Sequence, residues 1–139
     1  MRQARRAGWE NVSTFDYGAR GMKRRPEQEL QRSVFEHYRL RGAPGVMMFH
    51  CPNGGWRSRV EAAILKAMGT TPGIPDVCCV KDGRAYFLEL KANSVRLTKT
   101  QRECHAALVA AGAIVGTAVG IDQALQWLES HELLRRQTQ

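Results

Sequence analysis

Residues 73–91 read Gly73-Ile-Pro-Asp76-Val-Cys-Cys-Val-Lys-Asp-Gly-Arg-Ala-Tyr-Phe-Leu-Glu89-Leu-Lys91, two short β-type runs joined by Asp82-Gly83. An Asp-Gly pair between such runs is a hairpin signal, because both central residues of a type I′ turn need positive φ. If Lys81 pairs with Arg84, position numbers across the hairpin sum to 165, and a wider loop closed by Val80 and Ala85 keeps the same sum. Asp76 then stands directly opposite Glu89, with Cβ atoms roughly 5 Å apart on one face. Period-two alternation puts Lys91 on that face as well. Two carboxylates this close repel unless a cation lies between them, and a hard divalent ion such as Mg²⁺ takes oxygen ligands of this kind. A lysine beside the ion can hold or activate a water, which completes the parts of a metal-dependent phosphodiesterase site.

The same spacing fits an ordinary surface hairpin, since exposed edges decorated with Lys and Glu are common. Two details weigh against it. Leu88 and Leu90 surround the charges with apolar residues, as at a buried strand end. Pro75 has no amide to give to a ladder, so Asp76 is expected to start its strand at a rim.

Composition narrows the class. A chain of 139 residues, 43% hydrophobic and 24% charged, is one globular domain with a single core. The net charge is +8, and 16 of the 21 basic residues are arginines, whose planar fork binds phosphate oxygens bidentately. No basic amphipathic helix with a bulky apolar face is evident, so nucleic acid is a better partner than a membrane surface. Cys51, Cys78, Cys79 and Cys104 lack C-x-x-C spacing, and the adjacent pair points to opposite faces of a strand. Reduced thiols in a cytoplasmic setting are expected rather than a zinc site. The apolar stretch from Ala106 to Ile121 is broken by three glycines and is too short to span a bilayer. No apolar run follows the basic N-terminus, which argues against a secretory signal.

Along the chain, residues 1–25 hold seven Lys or Arg against Glu10 and Asp16, and read either as a mobile basic arm suited to a phosphate backbone or as a solvated tail with no role. The folded domain is expected over 26–134, with 135–139 frayed. Pro26 opens a helix to about Arg41, ended by Gly42 and Pro44, with Leu30, Val34 and Tyr38 as its buried stripe. Glu27 and Gln31 fall on that stripe, where a polar group needs a partner. The alternative for Glu27 is charge complementing the helix dipole. Val46–His50 reads as a strand and 51–55 as its turn. Ser58-Arg-Val-Glu61 is a capping box opening a helix from Arg59 to about Met68. Thr98-Lys-Thr-Gln101 is a second capping box, opening a helix to about Ala111. Ala113–Val119 reads as a strand buried on both faces, and Asp122 as the cap of a last helix reaching about Leu134, with Leu125 and Leu128 inward. The order α-β-α-β-β-α-β-α, with a hairpin followed by a strand-helix-strand crossover, implies a mixed β-sheet flanked by helices.

Pro75-Asp76…Glu89-Leu-Lys91 resembles the signature of the PD-(D/E)XK nucleases. Gly73-Ile-Pro before it, Gln101 ten residues after the lysine, and Asn53-Gly-Gly upstream narrow the likeness to the virus-type replication-repair (VRR-NUC) branch, over about residues 26–130. The resemblance implies a restriction-endonuclease-like core and a DNA endonuclease dependent on Mg²⁺, with Mn²⁺ also supporting activity and no small-molecule cofactor. It implies metal ligation by Asp76, Glu89 and the Leu90 carbonyl. Matching the family's E-x-x-(aliphatic)-Q helix motif, Glu27 becomes a direct or water-mediated ligand. Lys91 would position the attacking water, and Gln101 would be an active-site residue, in competition with its reading as a helix-capping side chain. His50 and Asn53 would lie near the hairpin mouth as DNA contacts, His50 alternatively as a packed polar residue at a strand end, with Arg57, Arg59, Arg96 and Lys99 as DNA-backbone clamps or ordinary surface charges. Similar stand-alone domains act on branched DNA such as four-way junctions and pair as homodimers. A non-catalytic nucleic-acid-binding module and an RNA-directed nuclease are the rival readings; intact Asp76, Glu89 and Lys91 argue against the first.

Overall fold

The computed structural model describes residues 25–52 and 58–138. The basic arm, Arg25 apart, and the expected DNA contacts Asn53 and Arg57 therefore lie outside the described residues.

The expected hairpin forms with the expected register. Strands β2 (Val77–Lys81) and β3 (Arg84–Lys91) pair antiparallel, Val77 with Leu88 through to Lys81 with Arg84. Asp82 and Gly83 both have positive φ, 51° and 72°, as a type I′ turn requires. β1 (Met47–Phe49) joins the free edge of β2 antiparallel, and β4 (Ile114–Val119) pairs parallel with β3. The sheet order is β1-β2-β3-β4, so β3 is an inner strand of a mixed sheet. Its parallel edge follows from the crossover, because β4 is reached through a helix, α3 (Lys99–Ala110).

Alternation along β3 sorts the two faces. Tyr86, Leu88 and Leu90 are buried in the main core with Val77, Cys79 and Ala118. That face is covered by α1 (Pro26–Arg41) and α4 (Gly120–Ser130), through Leu30, Val34, Ala124 and Leu128. Phe87, Glu89 and Lys91 project from the other side. α1 forms where its sequence signals fall: Pro26 occupies the first turn, Glu27 and Glu29 follow, and Arg39 and Arg41 close the last turn, each matching the helix dipole. Its C-terminus is tied down. Arg41 pairs with Glu129 at 2.5 Å and donates to the Arg135 carbonyl, while Tyr38 donates to the Val46 carbonyl at 2.9 Å. The Arg135 amide returns a bond to the Arg41 carbonyl at 2.9 Å, so the chain is still attached at the first residue of the expected frayed tail.

Three expectations need correction. β4 is half-buried apart from Ala118, because it is an edge strand and not an inner one. Asp122 does not cap α4; the helix starts at Gly120, and the Gln123 side chain accepts from the Val119 amide at 2.8 Å instead. α4 also stops at Ser130, short of Leu134. Glu132 turns left-handed, with φ 56°, and the Leu133 amide bonds back to the Leu128 carbonyl at 2.9 Å. This closure buries Leu133 and Leu134 and bridges Leu134 to Gly42 beside α1.

α2 (Arg59–Ala67) has both bonds of the Ser58–Glu61 capping box, yet none of its residues is buried. Val60, Ile64 and Met68, spaced at i, i+4 and i+8, are 69%, 53% and 77% exposed. On β1 and β2, Met47, Phe49 and Val80 form a second exposed apolar group on one face of the sheet, with Met47 directly opposite Val80.

Candidate active site

Asp76 sits one residue before β2, and continuing the register places it opposite Glu89. Its Oδ2 accepts the Leu90 amide at 2.9 Å, so the aspartate occupies the position that a further ladder residue would have taken. In an antiparallel pair a residue's N–H and C=O point to the same neighbour. The Leu90 carbonyl therefore faces the β2 side too, opposite Pro75, which has no N–H to donate. One proline thus leaves two oxygens, a carboxylate and a main-chain carbonyl, at the open end of the hairpin.

Gly73 fixes how that hairpin entry meets α3. Its φ is +79°, and a Cβ there would come within 2.6 Å of the Thr100 carbonyl oxygen and 3.0 Å of the Gln101 Cα. Only glycine satisfies both the left-handed backbone and the close approach. The segment leading into Asp76 consequently lies directly on the first turn of α3, which carries Gln101.

Gln101 makes the bonds of a helix cap and also reaches two of the candidate site residues. Its Oε1 accepts the Thr98 amide at 3.0 Å, completing the capping box, and also accepts Lys91 Nζ at 3.2 Å. Its Nε2 donates to Glu89 Oε1 at 2.6 Å. The amide orientation is dictated by its partners: an amide N–H and an ammonium are donors only, so the oxygen must face them and the nitrogen must face the carboxylate. Lys91 Nζ also lies 3.5 Å from Glu89 Oε1. Helix cap, glutamine, glutamate and lysine form one connected network.

Glu89 is only 4% exposed. Burial first, then the Asp76 charge, push its carboxyl up to about 7 against the pull of Lys91. Asp76 is raised as well, chiefly by burial, with the Leu90 amide opposing and Glu27 adding repulsion. Removing two carboxylates from water side by side is costly, and a bound cation would relieve both causes at once. The donor set fits a hard divalent ion, carboxylate and carbonyl oxygens being what such an ion prefers. Among the described residues no group of three or more His, Cys, Asp or Glu side chains is placed to hold a metal ion.

The remaining site residues are distributed unequally. Glu27 is exposed in the first turn of α1 and not on its buried stripe, because the core ends at Leu30. It acts on Asp76 and Glu89 through its charge. His50 follows β1, and its Nδ1 donates to the Asp76 carbonyl at 2.7 Å. Arg96 and Lys99 are exposed on the segment that brings the chain into α3, Lys99 pairing with Glu103 at 3.7 Å. Arg59 is exposed at the start of α2. His105, one turn after Gln101, was not singled out by sequence; it is buried, its Nε2 has no hydrogen-bond partner among the described residues, and burial and Lys91 lower its pKa. Its i+4 spacing from Gln101 was the available signal. Cys51 and Cys78 bring their sulfurs to 3.6 Å beside the same strand ends.

A mixed four-stranded sheet flanked by helices, with carboxylates at the open end of its central hairpin, is the restriction-endonuclease-like arrangement. A solved structure described as a "VRR_NUC domain protein" superposes with a TM-score of 0.62 at 23% identity, covering 78% of this chain and 89% of that one. The chain therefore has the fold of a VRR-NUC domain. No protein-family model and no curated protein matches it. Among the described residues no helix is long and apolar enough to cross a membrane.

Proposed function

We propose that this protein is a divalent-metal-dependent DNA endonuclease. The observation that carries the reading is the convergence of Asp76, Glu89, Lys91 and Gln101 at the open end of one hairpin, on a fold shared with a VRR-NUC domain. Asp76, Glu89 and the Leu90 carbonyl would hold Mg²⁺ or Mn²⁺, with Glu27 acting on the site through water. When bound, the ion supplies Lewis acidity toward a phosphodiester and lowers the pKa of a bound water.

The chain's own groups set up the reaction. Lys91, held between Gln101 and Glu89, keeps its ammonium where an attacking water and a phosphate oxygen would meet, orienting the water and offsetting developing charge. Gln101 prevents Glu89 from turning away by donating to its Oε1. His50 steadies the Asp76 main chain. Arg96 and Lys99 offer positive charge at the edge of the site, and Arg59 on α2, for the flanking backbone. Branched DNA, including four-way junctions, is the proposed substrate, cut by a homodimer. The exposed apolar row Val60, Ile64, Met68 and the uncovered Met47, Phe49, Val80 group support pairing with a second copy.

Lys91→Ala separates catalysis from binding. Turnover at saturating DNA should fall about 10²-fold or more, as for loss of a positioned proton-transfer or charge-stabilising group. Affinity should change little, because one phosphate contact among several is lost. A change confined to affinity would refute the assigned role.

A further inference from the structure

A cleft of about 210 Å³ lies between α1 and the residue after β1, lined by Gln31, Arg32, Phe35, Arg39 and His50. It adjoins the site described above through His50, whose Nδ1 is held by the Asp76 carbonyl. Along α1, Glu27, Gln31, Phe35 and Arg39 form a single i, i+4 row, each step advancing about 6 Å. The row runs from acidic at the carboxylate end, through an amide and an aromatic ring, to a guanidinium, with Arg32 flanking it. The described residues give Arg32 and Arg39 no acidic partner among the salt bridges. Phe35 is half-buried against the core, which fixes its ring while leaving part of it accessible. With Nδ1 committed, His50 keeps Nε2 as its available polar atom.

Two guanidinium groups and an aromatic ring around one recess match the two halves of a nucleotide. Guanidinium binds phosphate oxygens in a fork, and a ring supplies a stacking platform indifferent to base identity. We infer that this cleft seats the nucleotide adjoining the scissile phosphate, with Arg32 and Arg39 on its backbone phosphate and Phe35 against its base. This rests on the nuclease reading for the word scissile. It adds a strand path: DNA leaves the carboxylates along α1, not only over α3. Gln31 and His50 then read the sugar and base edges at the mouth of the recess.

The test is binding of a fluorescent single-stranded DNA oligonucleotide in EDTA, where no cleavage occurs, across a salt series. The doubly substituted Arg32→Ala/Arg39→Ala protein should bind at least ten-fold more weakly. Its log-affinity against log-salt slope should be shallower by about 1.4, two contacts at about 0.7 each for a single strand. Phe35→Leu should weaken binding five-fold or more with the slope unchanged, and Phe35→Tyr should restore it. Thermal midpoints run alongside separate stacking from packing, since a purely structural role would move affinity only with stability. Wild-type affinity and slope in the arginine variant, or a Phe35→Leu protein that binds normally, would overturn the assignment. The two readings fail separately. Variants that lose binding in a protein that never cleaves DNA leave the cleft assigned and remove the nuclease, whereas unchanged binding and cleavage remove the cleft alone.

Discussion

Gln101 shows how one side chain meets two demands that its sequence context presents as alternatives. Oε1 accepts from both the Thr98 amide and Lys91, and Nε2 is left to donate to Glu89, so the cap and the site contacts coexist. Gln101→Glu exploits the division. Glutamate is equally good at the third position of a capping box, so the thermal midpoint should stay within a few degrees. It cannot donate to Glu89, and it adds a third negative charge to the pair, so cleavage should fall ten-fold or more. Parallel melting and cleavage assays decide it; unchanged cleavage would make Gln101 a cap and nothing else. The pair itself predicts a pH dependence. Glu89 titrates near 7 in the fold against an ordinary 4.5, so between those values the folded protein holds the proton more tightly than the unfolded chain. The metal-free protein should therefore lose stability from this group as pH rises through that window. Added Mg²⁺ needs both carboxylates ionised, so its stabilising increment should grow from pH 5 to pH 8. Melting curves with EDTA or Mg²⁺, using Glu89→Gln as reference, check this. An increment independent of pH would contradict it.

At the level of elements, the sequence was legible where local chemistry decides structure. The Asp82-Gly83 turn sets the register by arithmetic alone, and with it the opposition of Asp76 and Glu89. Pro26 and the Ser58 and Thr98 boxes place three helix starts. It was illegible where neighbours decide. An apolar run does not say that β4 lies at an edge, and α4 closes on a left-handed Glu132 in place of the usual glycine signal. The α1 cleft was missed because Arg32 and Arg39 face His50 only once β1 has been laid beside α1. α2 is the opposite case, a helix fully specified by its own cap and apolar row, none of whose residues is buried. If that row is a contact with a second copy, Ile64→Glu should give a single-chain mass by analytical ultracentrifugation, with the melting of the individual domain barely altered. A wild-type protein that sediments as a single chain at the same concentration would remove the dimer from the proposal.

Taken as a molecule, the chain joins a pair of carboxylates, Glu89 buried and Asp76 half-buried, to a net charge of +8, a combination that would draw in the polyanion proposed above as substrate. The fold makes this affordable by placing the pair at a strand end beside the Pro75 gap, where the main chain has already forgone one hydrogen bond. Everything in the proposed reaction depends on those two carboxylates and an ion. The most direct measurement is cleavage of duplex, flap, single-stranded and four-way DNA by the wild-type protein and Asp76→Asn, each with Mg²⁺, Mn²⁺ or EDTA. The wild-type protein should cut at least one of these with Mg²⁺ or Mn²⁺, branched DNA best, and none in EDTA, while Asp76→Asn binds DNA as well or better and leaves it intact. Cleavage that survives EDTA, or an Asp76→Asn protein that cuts at the wild-type rate, would contradict the assigned metal site.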